Sequence, residues 1–119
     1  MKKFINKEFQ ILKHMNLSEL QEKIKDFCKK YDLENPPEHR VLDLTSEVGE
    51  ISKEILKMTS YGKKKLEYRD EIKAELGDAL YSLITIANYF NIDLEEALNM
   101  VLEKYKKRLA KGSADSEND

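Results

Sequence analysis

Two short stretches carry acidic side chains at a spacing suited to holding a cation. Glu47-Val48-Gly49-Glu50 and Glu75-Leu76-Gly77-Asp78 each read acid, apolar residue, glycine, acid. In a helix, residues three apart share a face, so each tetrad offers a pair of carboxylates. An all-oxygen ligand set selects hard ions, which makes Mg²⁺ or Mn²⁺ the expected occupant. The plain alternative is a solvated helix flank.

Three features favour the cation site. Gly49 and Gly77 fall inside helical patterns and take the same slot in both copies. A mid-helix glycine costs about 1 kcal/mol relative to alanine, and it lets a ligand or another backbone come close. The second feature is missing countercharge. The chain has 21 Lys and Arg, yet Glu47, Glu75 and Asp78 have none at three or four positions, and only Glu50 has one, Lys53. Glu47 instead faces Asp43, Glu50 faces Glu54, and Glu75 faces Glu71. No Lys or Arg occurs from Ala74 to Glu103. Ordinary helix surfaces pair such acids with lysine four residues away. The third feature is helical position. At 100° per residue, Glu47 and Glu75 lie at the edges of their apolar stripes, with Glu50 and Asp78 one step further out. Two antiparallel neighbouring helices would line one half-sheltered cleft with all four.

Those helices are legible from hydrophobic spacing. Ser18 and Gln21 match a capping box, followed by Leu20, Ile24, Phe27, Cys28 and Tyr31 at helical intervals. Asn35-Pro36-Pro37 breaks the chain, and Pro37 suits the first turn of a helix predicted over 37–59. Its stripe is Val41, Leu44, Val48, Ile51, Ile55 and Met58. A basic loop, Tyr61 to Lys65, precedes a third helix predicted over 66–90, with Ile72, Leu76, Ala79, Leu80, Leu83, Ile86, Ala87 and Phe90 as its apolar face. Asp93 with Glu96 caps a fourth helix, which carries Leu94, Leu98, Val101, Leu102, Tyr105 and Leu109 to about Ala110. The expected fold is all-α, an antiparallel four-helix bundle over residues 18–110. Residues 1–17 read as an arm or short helix, and 111–119 as a disordered polar tail.

Composition narrows the function classes. At 119 residues with 40% hydrophobic and 37% charged, the chain is one domain with one core. A formal net charge of -2 favours neither a nucleic-acid polymer nor an acidic membrane, and no apolar run approaches a membrane span. The basic start lacks the apolar centre of a signal peptide, and the single Cys28 fits a reducing cytoplasm. Neither His14 nor His39 has the Glu-x-x-His placement of a di-iron bundle, and both read as surface or linker residues. There is no CxxC, P-loop or Ser/His/Asp set.

Leu44 to Ile51, Glu75 to Leu80, and Asn91 to Leu98 closely resemble the MazG-like all-α nucleotide pyrophosphohydrolases, with Glu103 to Leu109 as the basic end of that pattern. The resemblance spans residues 18–110. It implies Mg²⁺-dependent hydrolysis of a nucleoside triphosphate to the monophosphate and pyrophosphate. It also implies a homodimer or dimer of dimers, whose subunits complete the bundle and site together. Two slots depart from the pattern. Ser46 stands where members commonly carry a second Glu, and Glu71 where some carry a Lys, leaving Lys73 as an alternative phosphate contact.

On that resemblance, water attacks the α-phosphorus while Glu47, Glu50, Glu75 and Asp78 hold the cations. Glu50 is a candidate to orient or deprotonate the water. Lys104, Lys107 and Arg108 are the expected cations for the pyrophosphate. A helix C-terminus also attracts cations, but Arg108 falls within the apolar arc of the fourth helix, with Lys104 at its edge. Asn88 and Tyr81 are candidates for contacting the base. The non-enzymatic alternative is a helical module that dimerises through its stripes, with the acids as solubilising surface.

Overall fold

The computed structural model describes residues 14–112, which form four helices and no strand among the described residues. They are α1 (Leu17–Lys30), α2 (Pro37–Met58), α3 (Ile72–Tyr89) and α4 (Leu94–Ala110). The expected N-terminal arm up to residue 13, and the tail from 113, lie outside the described residues. No described helix is long and apolar enough to cross a membrane.

Local sequence sets the helix ends. Pro37 occupies the first turn of α2, where its missing N–H costs nothing. Asp93 caps α4 as expected, its carboxylate accepting from the Glu95 and Glu96 amides. The cap of α1 differs from expectation. Asn16, not Ser18, is the N-cap, and it accepts from the Glu19 amide. Ser18 donates instead to Asp93 and Glu95 at the start of α4, while Gln21 turns inward. Tertiary partners outbid the local capping box. Asp32 and Asn91 close α1 and α3 in the left-handed region, at φ 54° and 56°. Short polar residues tolerate that conformation better than most.

The helix α3 starts later than its periodicity suggests. Residues 66–69 are not helical, and Glu67 donates its amide to the Met58 carbonyl at the end of α2. Arg69 in this strap reaches back to Glu54. A helix starting at Leu66 would forgo both contacts.

Cross-helix pairs fix the topology. Arg40 stacks on Tyr81, Glu47 meets Glu75 and Asp78, and Glu54 pairs with Arg69. Rising numbers on α2 match falling numbers beyond it, so α2 and α3 form an antiparallel hairpin. The same rule holds for α1 on α3, through Gln21 with Asn88 and Cys28 with Tyr81. The fourth helix packs on α1. The enclosed core is small: Cys28, Met58, Ile84 and Ala87, with Ile84 at 1% exposure.

Gln21 is the joint of three elements. Its amide donates to Asn88 Oδ1 and the Ile92 carbonyl, and its oxygen accepts from the Leu94 amide. Replacing it by leucine leaves these buried groups unpaired, which costs about 1–3 kcal/mol. The expected result is a lower urea midpoint at unchanged slope. An unchanged midpoint would show the joint to be slack.

Candidate metal centre

The site is built on the hairpin. Arg40, Glu47 and Glu54 recur two turns apart on α2, so they share the face turned to α3. Sequence placed Glu47 at the edge of an apolar stripe. In the folded chain it lies on the contact face itself, level with buried Arg40, Glu54 and Met58. Val41, Val48 and Ile55 of the stripe stay exposed, while Leu44 and Ile51 are half-buried and Met58 is buried. The inward face of α2 therefore carries charged side chains among apolar ones.

Three of the four expected carboxylates converge. One oxygen each from Glu47, Glu75 and Asp78 lies within 4.8 Å of the others. Glu47 and Glu75 are half-buried and Asp78 is exposed. Glu50 is exposed and stands outside this trio. Its charge still reaches Glu47. Burial first, then the charges of Asp78, Glu75, Glu50 and Asp43, push the Glu47 carboxyl above its ordinary value. Among the described residues none of the four makes an ion pair, whereas Glu54, Glu67, Asp70 and Asp43 each have a Lys or Arg. Packed acids without countercharge fit a divalent cation in both geometry and donor type.

The two glycines gain a partial explanation. A Cβ at Gly49 or Gly77 would meet nothing within 4 Å. Packing among the described residues does not require either glycine.

The basic residues behave differently. Lys104 and Lys107 line a surface cavity of about 790 Å³ with Glu95, Asn99, Glu103 and others of α4, to which none of the three acids contributes. Arg108 is half-buried, with its guanidinium 5.8 Å from the Tyr105 ring. The helix α4 packs mainly on α1, and none of Lys104, Lys107 and Arg108 is among the charges that act on Glu47. Lys73 is engaged with Asp70 at 3.1 Å. Both histidines are exposed, as expected.

Asn88 and Tyr81 are held by α1. Asn88 donates to the Gln21 carbonyl and accepts from its side chain. The Tyr81 hydroxyl sits 3.2 Å from Cys28 Sγ under Arg40, and burial raises its pKa. Sequence reasoning missed Arg40 and the Arg69–Glu54 pair. Glu54 enters the sequence reading only as a like charge facing Glu50. Its partner lies 15 positions on, beyond any helical interval.

Comparison with known proteins identifies the family of the domain. The MazG nucleotide pyrophosphohydrolase domain matches residues 35–112. The chain is 37% identical over 68 residues to YpjD of Bacillus subtilis, a match covering 55% of this chain and 60% of that relative. Among solved structures, a Bacillus-conserved MazG protein, a nucleotide pyrophosphohydrolase, superposes with TM-score 0.65 at 30% identity, covering 76% of this chain and 89% of that one. The iMazG protein of Vibrio DAT 722 superposes with TM-score 0.53 at 38% identity, covering 77% and 97%.

Proposed function

The chain belongs to the MazG nucleotide pyrophosphohydrolase family, and on that premise we propose that it hydrolyses a nucleoside or deoxynucleoside triphosphate to the monophosphate and pyrophosphate, with Mg²⁺ as cofactor. The observation that carries the reading is the convergence of Glu47, Glu75 and Asp78 within 4.8 Å, with no ion pair to any of them among the described residues. As an enzyme of this family it cleaves a phosphoric anhydride.

The residues divide the work. Glu47, Glu75 and Asp78 hold Mg²⁺, with Mn²⁺ as the substitute of matching ligand preference. The bound cation supplies charge neutralisation for phosphate oxygens and a lower pKa for water. Glu50, in charge contact with Glu47 but outside the trio, is free to orient the attacking water at the α-phosphorus and take its proton. Lys104, Lys107 and Arg108 offset the charge that builds on the departing pyrophosphate.

Assembly reconciles the basic end with the acidic cleft. Val41, Val48 and Ile55 on α2, and Leu76, Leu80 and Leu83 on α3, are exposed. In an antiparallel hairpin, these positions fall on the same side. Contiguous apolar surface of that kind marks a protein interface. A second copy seated there makes a homodimer or dimer of dimers and supplies its α4 cations to the acids of the first.

The test is pyrophosphate release over a panel of NTPs and dNTPs with Mg²⁺. Release from at least one nucleotide, abolished by a chelator, is the expected result. A folded protein that releases none from any of them would defeat the hydrolase reading and favour the interaction module.

A further inference from the structure

The α2–α3 hairpin is a ladder whose middle rung repels. At one end Arg40, 7% exposed, lies over the Tyr81 ring at 5.6 Å. At the other, Glu54, 6% exposed, accepts a hydrogen bond from Arg69 Nε. Between them stand the three carboxylates, with one oxygen of each within 4.8 Å of the others. The rungs on either side bear on that spacing, because they tie α2 to α3 and to the segment that leads into it.

The Arg69 rung is the better fixed of the two. Glu54 is enclosed, and the bond it accepts from Arg69 is direct. Arg69 precedes α3, on the strap that Glu67 ties to the Met58 carbonyl. Glu54 lies two turns from Glu47 along α2, and Glu75 follows Arg69 by a hydrogen-bonded turn at Asp70 and Glu71 and the first turn of α3. A shift at this rung therefore moves Glu75 relative to Glu47. The alternative role, plain stabilisation of the hairpin, is weak on general grounds, because a buried ion pair is often replaceable by apolar residues at no cost.

We infer that the Arg69–Glu54 pair is a positioning device that holds α2 and α3 at the separation a divalent cation needs. The inference rests on the acidic trio being the metal site. Groups that orient ligands from behind typically contribute ten- to a hundredfold in metal affinity.

The experiment is Mn²⁺ binding to the full chain, followed calorimetrically without nucleotide. Arg69→Gln is expected to weaken binding roughly tenfold, and Arg69→Lys to recover part of it. Arg69→Gln leaves a buried lone carboxylate and is the variant at risk of unfolding. The paired change Glu54→Met with Arg69→Met avoids that. It is expected to melt close to the wild type yet bind Mn²⁺ as weakly as Arg69→Gln. Wild-type affinity in the folded double variant would overturn the inference alone. A wild-type chain that takes up no Mn²⁺ would overturn the metal reading with it.

Discussion

Changing Glu47 to Gln lowers pyrophosphate release by about three orders of magnitude, while the metal-free protein becomes no less stable. The fall follows from the cation's task. Charge stabilisation by a bound metal is worth several kcal/mol in a transition state, and each 1.36 kcal/mol is tenfold in rate. Burial first, then the charges of Asp78, Glu75, Glu50 and Asp43, raise the Glu47 pKa. A neutral amide of the same shape removes that repulsion, so the usual loss on altering a half-buried side chain is absent. A steady-state assay with a parallel thermal melt checks both halves. Activity within tenfold of the wild type would remove Glu47 from the site, and a lower melting temperature would show that its charge is structurally required. Glu50→Gln is the informative contrast. Outside the trio, it should lose turnover while keeping metal affinity.

Mg²⁺ should stabilise the folded chain by about 2.7 kcal/mol at a hundredfold excess over its dissociation constant. On mild acidification this gain and the stability of the metal-free protein move in opposite directions. In the fold the Glu47 carboxyl is held above its ordinary value of 4.5, so the folded state binds that proton more tightly than the unfolded chain. Acidifying from neutrality through the raised value therefore stabilises the metal-free protein, and the gain is complete below the ordinary value. Asp93, held down by its Ser18 hydrogen bond, and Asp70 and Glu67, held down by their lysines, act with the opposite sign. Their contribution is present above the ordinary carboxylate values and fades as pH falls through their lowered ones. The melting temperature in chelator should thus rise on mild acidification and then fall. With Mg²⁺ it should fall throughout, because protons compete with the cation for the same oxygens. A Mg²⁺ shift that grows on acidification would contradict the assignment.

Four helices, their breaks at Asn35-Pro36-Pro37 and Asn91-Ile92-Asp93, and the two acidic tetrads were all readable without coordinates. These features are set by residues a few positions apart, and helical periodicity carries such information directly. The resemblance in the tetrads carried the reaction class. The capping box at Ser18 misled because Asn16 was free to cap, and Asp93 and Asn88 offered Ser18 and Gln21 other partners. The expected start of α3 misled for a similar reason, since Arg69 gains more from buried Glu54 than from a helical turn.

The sequence by itself determined that carboxylates would be paired on two helices and left without countercharge. Only the tertiary structure decided which of them meet. Periodicity reports which residues are apolar, not which face a neighbour covers. Here the hairpin closes on Arg40, Glu47 and Glu54 and leaves Val48 and Leu80 at the surface. That rotation brings Glu47 to Glu75 and Asp78 and leaves Glu50 beside them. It depends on the Arg69–Glu54 and Arg40–Tyr81 contacts, whose partners are far apart in the chain and meet only when the hairpin closes.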